Sequence, residues 1–212
     1  MSPRTLETPP RVPDLPAGGD RFPGGGGGLP YPDSPATAPA AVAVWLLVAS
    51  VTILFAAFTS TYLARRGEAD WVVGPLPALL YVSTGVLVLS SGVLEGTRRA
   101  GLRGRLDLVR SGLLAATALG LGFLAIQAAA WRQLAALGVF LASNPHSAFF
   151  YLFTGAHALH VVGGLAWLGY ALSRARRAAT VEAALASAGP AATFWHFLGA
   201  LWLYLFLILF AL

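Results

Sequence analysis

Five stretches of this chain run for about 20 residues or more without an Asp, Glu, Lys or Arg. A helix rises about 1.5 Å per residue and the hydrocarbon core of a bilayer is about 30 Å thick, so about 20 apolar residues cross it once. Inside that core every backbone N–H and C=O needs a partner, and a lone segment supplies its own partners only as a helix. The expected fold is therefore all-α, an integral membrane bundle of five transmembrane helices over about residues 40–64, 72–94, 111–131, 147–173 and 191–212. The fourth span is cut from an uncharged run, 133–173, that is too long to cross once; Asn144 and Pro145 supply the break. Composition agrees, with 57% hydrophobic residues against 11% charged, far from a soluble average.

Residues 1–39 differ in kind, being rich in Pro and Gly with only scattered apolar side chains. They read as a disordered cytoplasmic tail ahead of a five-helix domain over 40–212. No apolar stretch in the opening residues resembles a secretory signal, so the first span directs insertion. Orientation follows from the arginines, because basic residues stay on the cytoplasmic side. The tail, the second loop and the fourth loop share one side and hold Arg4, Arg11, Arg21, Arg98, Arg99, Arg103, Arg105, Arg110, Arg174, Arg176 and Arg177, eleven against Arg65, Arg66 and Arg132 opposite. The N-terminus is expected in the cytoplasm and the C-terminus outside. That fits a multi-pass membrane protein, with membrane lipids around it.

Several functions are disfavoured by what is missing. All 14 basic residues are Arg, spread over short loops, which is no surface for nucleic acid. The chain has no Cys, so a disulfide, an iron–sulfur cluster, a thiolate copper site and covalently attached c-type haem are excluded. No carboxylate or arginine lies inside a span, whereas transporters normally keep ionisable groups there. Nothing marks a site for a soluble small-molecule substrate. Glu68, Asp70, Glu95 and Asp107 fall in loops or at span edges, where partnership with nearby Arg is the usual state.

Histidines are the exceptions. His157 and His160 are three residues apart on the fourth span and share a face; His196 is early in the fifth, and His146 reads as a loop residue. Imidazole is the commonest metal ligand, but the depths disagree. At about 1.5 Å per residue His160 lies about 18 Å below the outer end and His196 about 7 Å above the inner one. Across about 30 Å of hydrocarbon the two are several ångströms apart in depth, poor placement for the axial ligands of one haem. Packing and hydrogen bonding between helices is the preferred reading. Gly112, Ala116 and Gly120, four apart on the third span, allow close approach of another helix, as does the Gly163–Gly164 pair. The aromatic series Phe194, Trp195, Phe197, Trp202, Tyr204, Phe206 and Phe210 reads as packing and interface anchoring.

The segment Phe149-Phe150-Tyr151-Leu152-Phe153-Thr154-Gly155-Ala156-His157-Ala158-Leu159-His160-Val161-Val162-Gly163-Gly164 resembles the Phe-Tyr…Thr-Gly-x-His-x-x-His-Val…Gly signature of subunit III of haem–copper respiratory oxidases. Further agreement comes in the right order: Pro77-Ala78-Leu79-Leu80 with Thr84, Ser90 and Ser91; Leu119-Gly120 with Phe123, Leu124 and Gln127; and Phe194-Trp195-His196-Phe197. The similarity spans residues 40–212, and five spans are what the short bacterial form of cytochrome c oxidase subunit 3 has. The resemblance implies a non-catalytic subunit with no cofactor or metal in this chain. Haem and copper are expected in a partner, subunit I, against which this chain packs in a complex that also holds subunit II. The complex reduces dioxygen to water in aerobic respiration. Thr154, Gly155, His157, His160, Gly163, Gly164, Trp195 and His196 are implied as packing and hydrogen-bonding residues.

Carboxylates that the family often carries are replaced by Val51, Ala130 and Gly199. Any support of proton uptake is thereby moved to the cytoplasmic helix ends, where Glu95 and Asp107 are the candidate proton-surface groups. Two other readings stay open: a subunit-III-like accessory protein of nitric oxide reduction, and a b-type cytochrome anchor using His157 or His160 with His196. A channel or transporter is disfavoured by the empty spans.

Overall fold

The computed structural model describes residues 38–74 and 77–211. Residues 1–37, 75, 76 and 212, which the expected tail, second span and fifth span take in, lie outside the described residues. Five helices follow one another, α1 (Ala38–Arg65), α2 (Leu79–Leu102), α3 (Leu106–Ala136), α4 (Pro145–Arg177) and α5 (Val181–Ala211), each long and apolar enough to cross a membrane. Helices α2, α3, α4 and α5 pack in order around a shared core, closed by contact of α5 with α2, while α1 packs against α4 and α5.

The buried positions explain this arrangement. On α2 they are Leu80, Ser83, Leu87, Ser90, Leu94, Thr97 and the pair Ala100 and Gly101, and on α3 Val109, Leu113, Ala116, Gly120, Phe123, Gln127, Ala130 and Leu134. Steps of three and four alternate, an average of 3.5, the spacing of helices that cross at a shallow angle of about 20°. Every seventh residue of the α2 stripe is small and hydroxylic, which brings its backbone close to α3. The outward faces are as apolar as the inward ones: Trp45, Leu46, Ile53, Val88, Leu121, Leu159 and Leu207 are all exposed. That is the pattern of a chain whose solvent is lipid.

Helix ends do not coincide with the ends of the apolar runs. The second run was expected to cross from about residue 72, but Val72, Val73 and Gly74 are non-helical and α2 begins at Leu79. It then continues past Glu95 to Leu102, because Arg and Glu are good helix formers outside hydrocarbon. α5 likewise starts ten residues before the expected span and passes through Pro190. α4 begins at Pro145, capped by Asn144, whose Oδ1 accepts from the Ser147 N–H at 2.9 Å. Among the described residues two turns need a left-handed backbone and both use glycine: Gly104 (φ 71°) and Gly138 (φ 75°). At each, paired hydrogen bonds close the preceding helix, Arg105 N to Ala100 O with Gly104 N to Gly101 O, and Val139 N to Leu134 O with Gly138 N to Ala135 O.

Candidate functional site

The interior is held by indoles donating to hydroxyls on neighbouring helices. Trp195 Nε1 donates to Ser90 Oγ at 3.1 Å, and Ser90 in turn donates to the Ala116 carbonyl at 3.2 Å, so one chain of bonds joins α5, α2 and α3. Trp202 Nε1 donates to Thr84 Oγ1 at 2.9 Å, and Trp131 Nε1 to Thr154 Oγ1 at 3.2 Å. On α1, Thr59 Oγ1 accepts from Tyr204 Oη at 3.0 Å. The three threonines each pass their own proton to a carbonyl one turn back, so each of these four acceptor hydroxyls, Ser90 included, both donates and accepts. In a dry interior that completeness is what makes a polar contact favourable.

Glycines shape the socket for Trp195, which is fully buried. A Cβ at Gly120 would sit 2.5 Å from Trp195 Cη2 and 2.7 Å from Leu165 Cδ2, and one at Gly164 would sit 2.9 Å from Leu198 Cδ1 and 3.2 Å from Trp195 Cε3. A Cβ at Gly112 would overlap Thr97 Oγ1, so α2 and α3 meet closely there. The Gly112–Ala116–Gly120 stripe is thus where α2 and α5 press on α3. Gly155 and Gly163 are different, with nothing nearer than 3.8 Å to a Cβ at the first and nothing within 4 Å at the second.

The histidines part company. His157, 1% exposed, enters the core between Phe123 (ring centroids 6.0 Å apart) and Trp202 (5.2 Å), and neither of its nitrogens has a hydrogen-bond partner among the described residues. His160 turns toward α1, its ring 5.8 Å from that of Phe55 and its Nδ1 2.7 Å from the Ala156 carbonyl of its own helix. His196 lines the crevice between α2 and α5, where two adjoining hollows of about 300 and 270 Å³ share it. Three residues of helix turn through about 300°, leaving His157 and His160 about 60° apart, enough to send them to different neighbours. His146, read as a loop residue, is instead in the first turn of α4, 3% exposed, with its ring edge-on to Trp71 at 5.5 Å. Its neighbour Pro145 starts the helix, and Trp71 from the α1–α2 loop covers it. Among the described residues no three His, Cys, Asp or Glu side chains come together as a metal site.

The charged end is built from the α2–α3 and α4–α5 turns. Glu95 accepts from Arg98 through two bonds of 2.9 Å and from Arg99 at 2.8 Å. Asp107 is 96% exposed, with Arg110 at 3.4 Å. Arg110 also donates to the carbonyls of Ala175 (3.1 Å), which the Ala178 N–H reaches at 3.4 Å, and Ala178 (3.0 Å), supplementing the bonds at the end of α4 and tying the two turns together. At the positions of the replaced carboxylates, Val51 and Ala130 are buried in the apolar core, and a Cβ at Gly199 would meet Ser91 Oγ at 3.2 Å.

The fold and its interior define a class: a five-helix membrane bundle whose polar interior groups join helix to helix. Within that class, residues 37–212 match the model of the family described as cytochrome c oxidase subunit III, and the chain belongs to that family. It is 30% identical over 172 residues to a probable cytochrome c oxidase subunit 3 of Mycobacterium tuberculosis, covering 79% of this chain and 84% of that protein. It is 26% identical to cytochrome c oxidase subunit 3 of Alkalihalophilus pseudofirmus, over 78% of this chain and 83% of the relative. The subunit 3 of a cytochrome bo(3) ubiquinol oxidase from Pseudomonas putida is also 26% identical, over 79% and 83%. The sequence reading singled out the signature residues, but not that Thr154 is the acceptor for Trp131, nor that Thr84 serves Trp202. The seven-residue repeat of Ser83, Ser90 and Thr97 was the available signal for the hydroxyl-lined face of α2.

Proposed function

We propose that this chain is subunit III of a haem–copper terminal oxidase in a bacterial cytoplasmic membrane, a non-catalytic member of the complex that reduces dioxygen to water. The observation that carries this reading is the family match over residues 37–212, which takes in all five helices rather than a single motif. In this reading haem and copper reside in subunit I, and this chain packs beside it, with subunit II in the same complex. Its N-terminus lies in the cytoplasm and its C-terminus outside, as the arginine asymmetry requires. Thr154, Gly164 and Trp195 serve by fixing helix contacts, and His157, His160, Gly155, Gly163 and His196 accompany them in the signature.

Support of proton uptake rests on the charged end. The two candidate groups are unlike. Glu95 is engaged by Arg98 and Arg99, which stabilise its carboxylate, whereas Asp107 is open to water. Exchange of protons with bulk therefore falls to Asp107, and Glu95 serves to order the end of α2.

Purification from mild detergent tests the assignment. The chain should copurify with an oxidase subunit I, and the Soret band should follow that subunit when the two are separated. Copurification with a nitric oxide reductase would replace the oxidase reading with the accessory one. A Soret band on the isolated chain would make it a b-type cytochrome anchor.

A further inference from the structure

We infer that His157 on α3's neighbour α4 and Gln127 on α3 together hold a buried water molecule that bridges the two helices. Gln127 is 4% exposed and His157 1%. Both amide atoms of Gln127 and both ring nitrogens of His157 are buried without a hydrogen-bond partner among the described residues. Two contacts between α3 and α4 bracket them. Phe123 meets His157 one turn before Gln127, and Trp131 meets Thr154 one turn after it, so Gln127 stands level with the stretch of α4 between Thr154 and His157.

The surroundings determine what can fill this need. Thr154 is already committed, accepting from Trp131 and donating to the Phe150 carbonyl at 2.7 Å. Phe123 and Trp202 offer ring faces and edges to His157, and the single indole N–H of Trp202 goes to Thr84. A neutral imidazole has one donor and one acceptor nitrogen, and the Gln amide has two donors and one acceptor oxygen. The missing partner must be small, uncharged, and able to donate and accept at once. Water is the molecule with those properties, and buried water typically makes about three such bonds. The bridge takes the place on the α3–α4 seam that the Trp–hydroxyl bonds hold elsewhere, and it gives the His of the signature a task that needs neither metal nor charge.

The test is a density map of the purified protein, with whatever partners remain bound, at a resolution that shows ordered water. A peak within hydrogen-bonding distance of both side chains is expected; continuous protein density with a direct Gln127–His157 bond, or no peak, overturns the inference. A second measurement uses Gln127→Leu, His157→Phe and the pair in a reversible unfolding titration. Each single change strands the other polar group and should lower the folding equilibrium constant about tenfold, while the double change should cost clearly less than the product of the two. Strictly multiplicative losses would mean that the residues share no ligand. Where a variant does not accumulate, the map of the parent protein decides alone.

Discussion

Replacing Gly120 by Ala would place a methyl 2.5 Å from Cη2 and 2.8 Å from Cζ2 of Trp195, an indole that is fully buried and bonded to Ser90. The ring cannot swing aside without breaking that bond, so the helices must separate or the core must strain, at about 1–3 kcal/mol. Ala also gains about 1 kcal/mol over Gly in helix propensity, leaving a net loss of about 0–2 kcal/mol. Gly122 is the matched control on the same helix: a Cβ there meets only Val86 Cγ1, at 4.0 Å, so Gly122→Ala keeps the propensity gain without the clash. The two variants should therefore differ by about 1–3 kcal/mol, about 5- to 150-fold in the folding equilibrium. Reversible unfolding in mixed micelles, followed by tryptophan fluorescence, reads this difference. Trp195→Phe removes both clashing carbons, so in the Gly120→Ala background it should cost less than in the parent. Equal stability of the two alanine variants, or no coupling between positions 120 and 195, would refute the socket.

Three further outcomes are expected. Thr154→Val, which keeps the shape but removes the acceptor for Trp131, should cost about 1–3 kcal/mol in the same titration, and Thr154→Ser should recover most of it. Arg110→Met should loosen the end of α4 by about 1–2 kcal/mol, seen as faster amide exchange after Ala175 than at mid-helix, because the guanidinium occupies two terminal carbonyls. A reporter fused after residue 212 should be active only outside the cytoplasm and one inserted near Arg103 only inside; the reverse pattern would overturn the orientation.

The number of helices was legible in the sequence because the absence of charge over about 20 residues is a statement about the solvent, and the solvent selects the helix. Their limits were not, because hydropathy marks where lipid ends, and a helix ends where its backbone finds other partners. Thus α2 runs on through Glu95, Arg98 and Arg99 to the glycine turn at Gly104, and α4 starts where Asn144 caps it. The interior separates the same way. Small residues at a spacing of four on α3 announced close approach, since spacing on one helix is enough to make a groove. Which indole fills that groove depends on the register of α5 against α2, and the bond from Trp195 to Ser90 joins residues 105 apart in the chain. His157 and His160 carry the point furthest. Their spacing puts them on one broad face, yet that face meets α3 and α5 on one edge and α1 on the other. A single 60° step divides a core residue from a seam residue. Phe55 contacts His160, and Thr59, one turn on, receives Tyr204 from α5. The signature therefore touches both of its seams at once: its first histidine belongs to the four-helix core, and its second to the contact by which α1 is held.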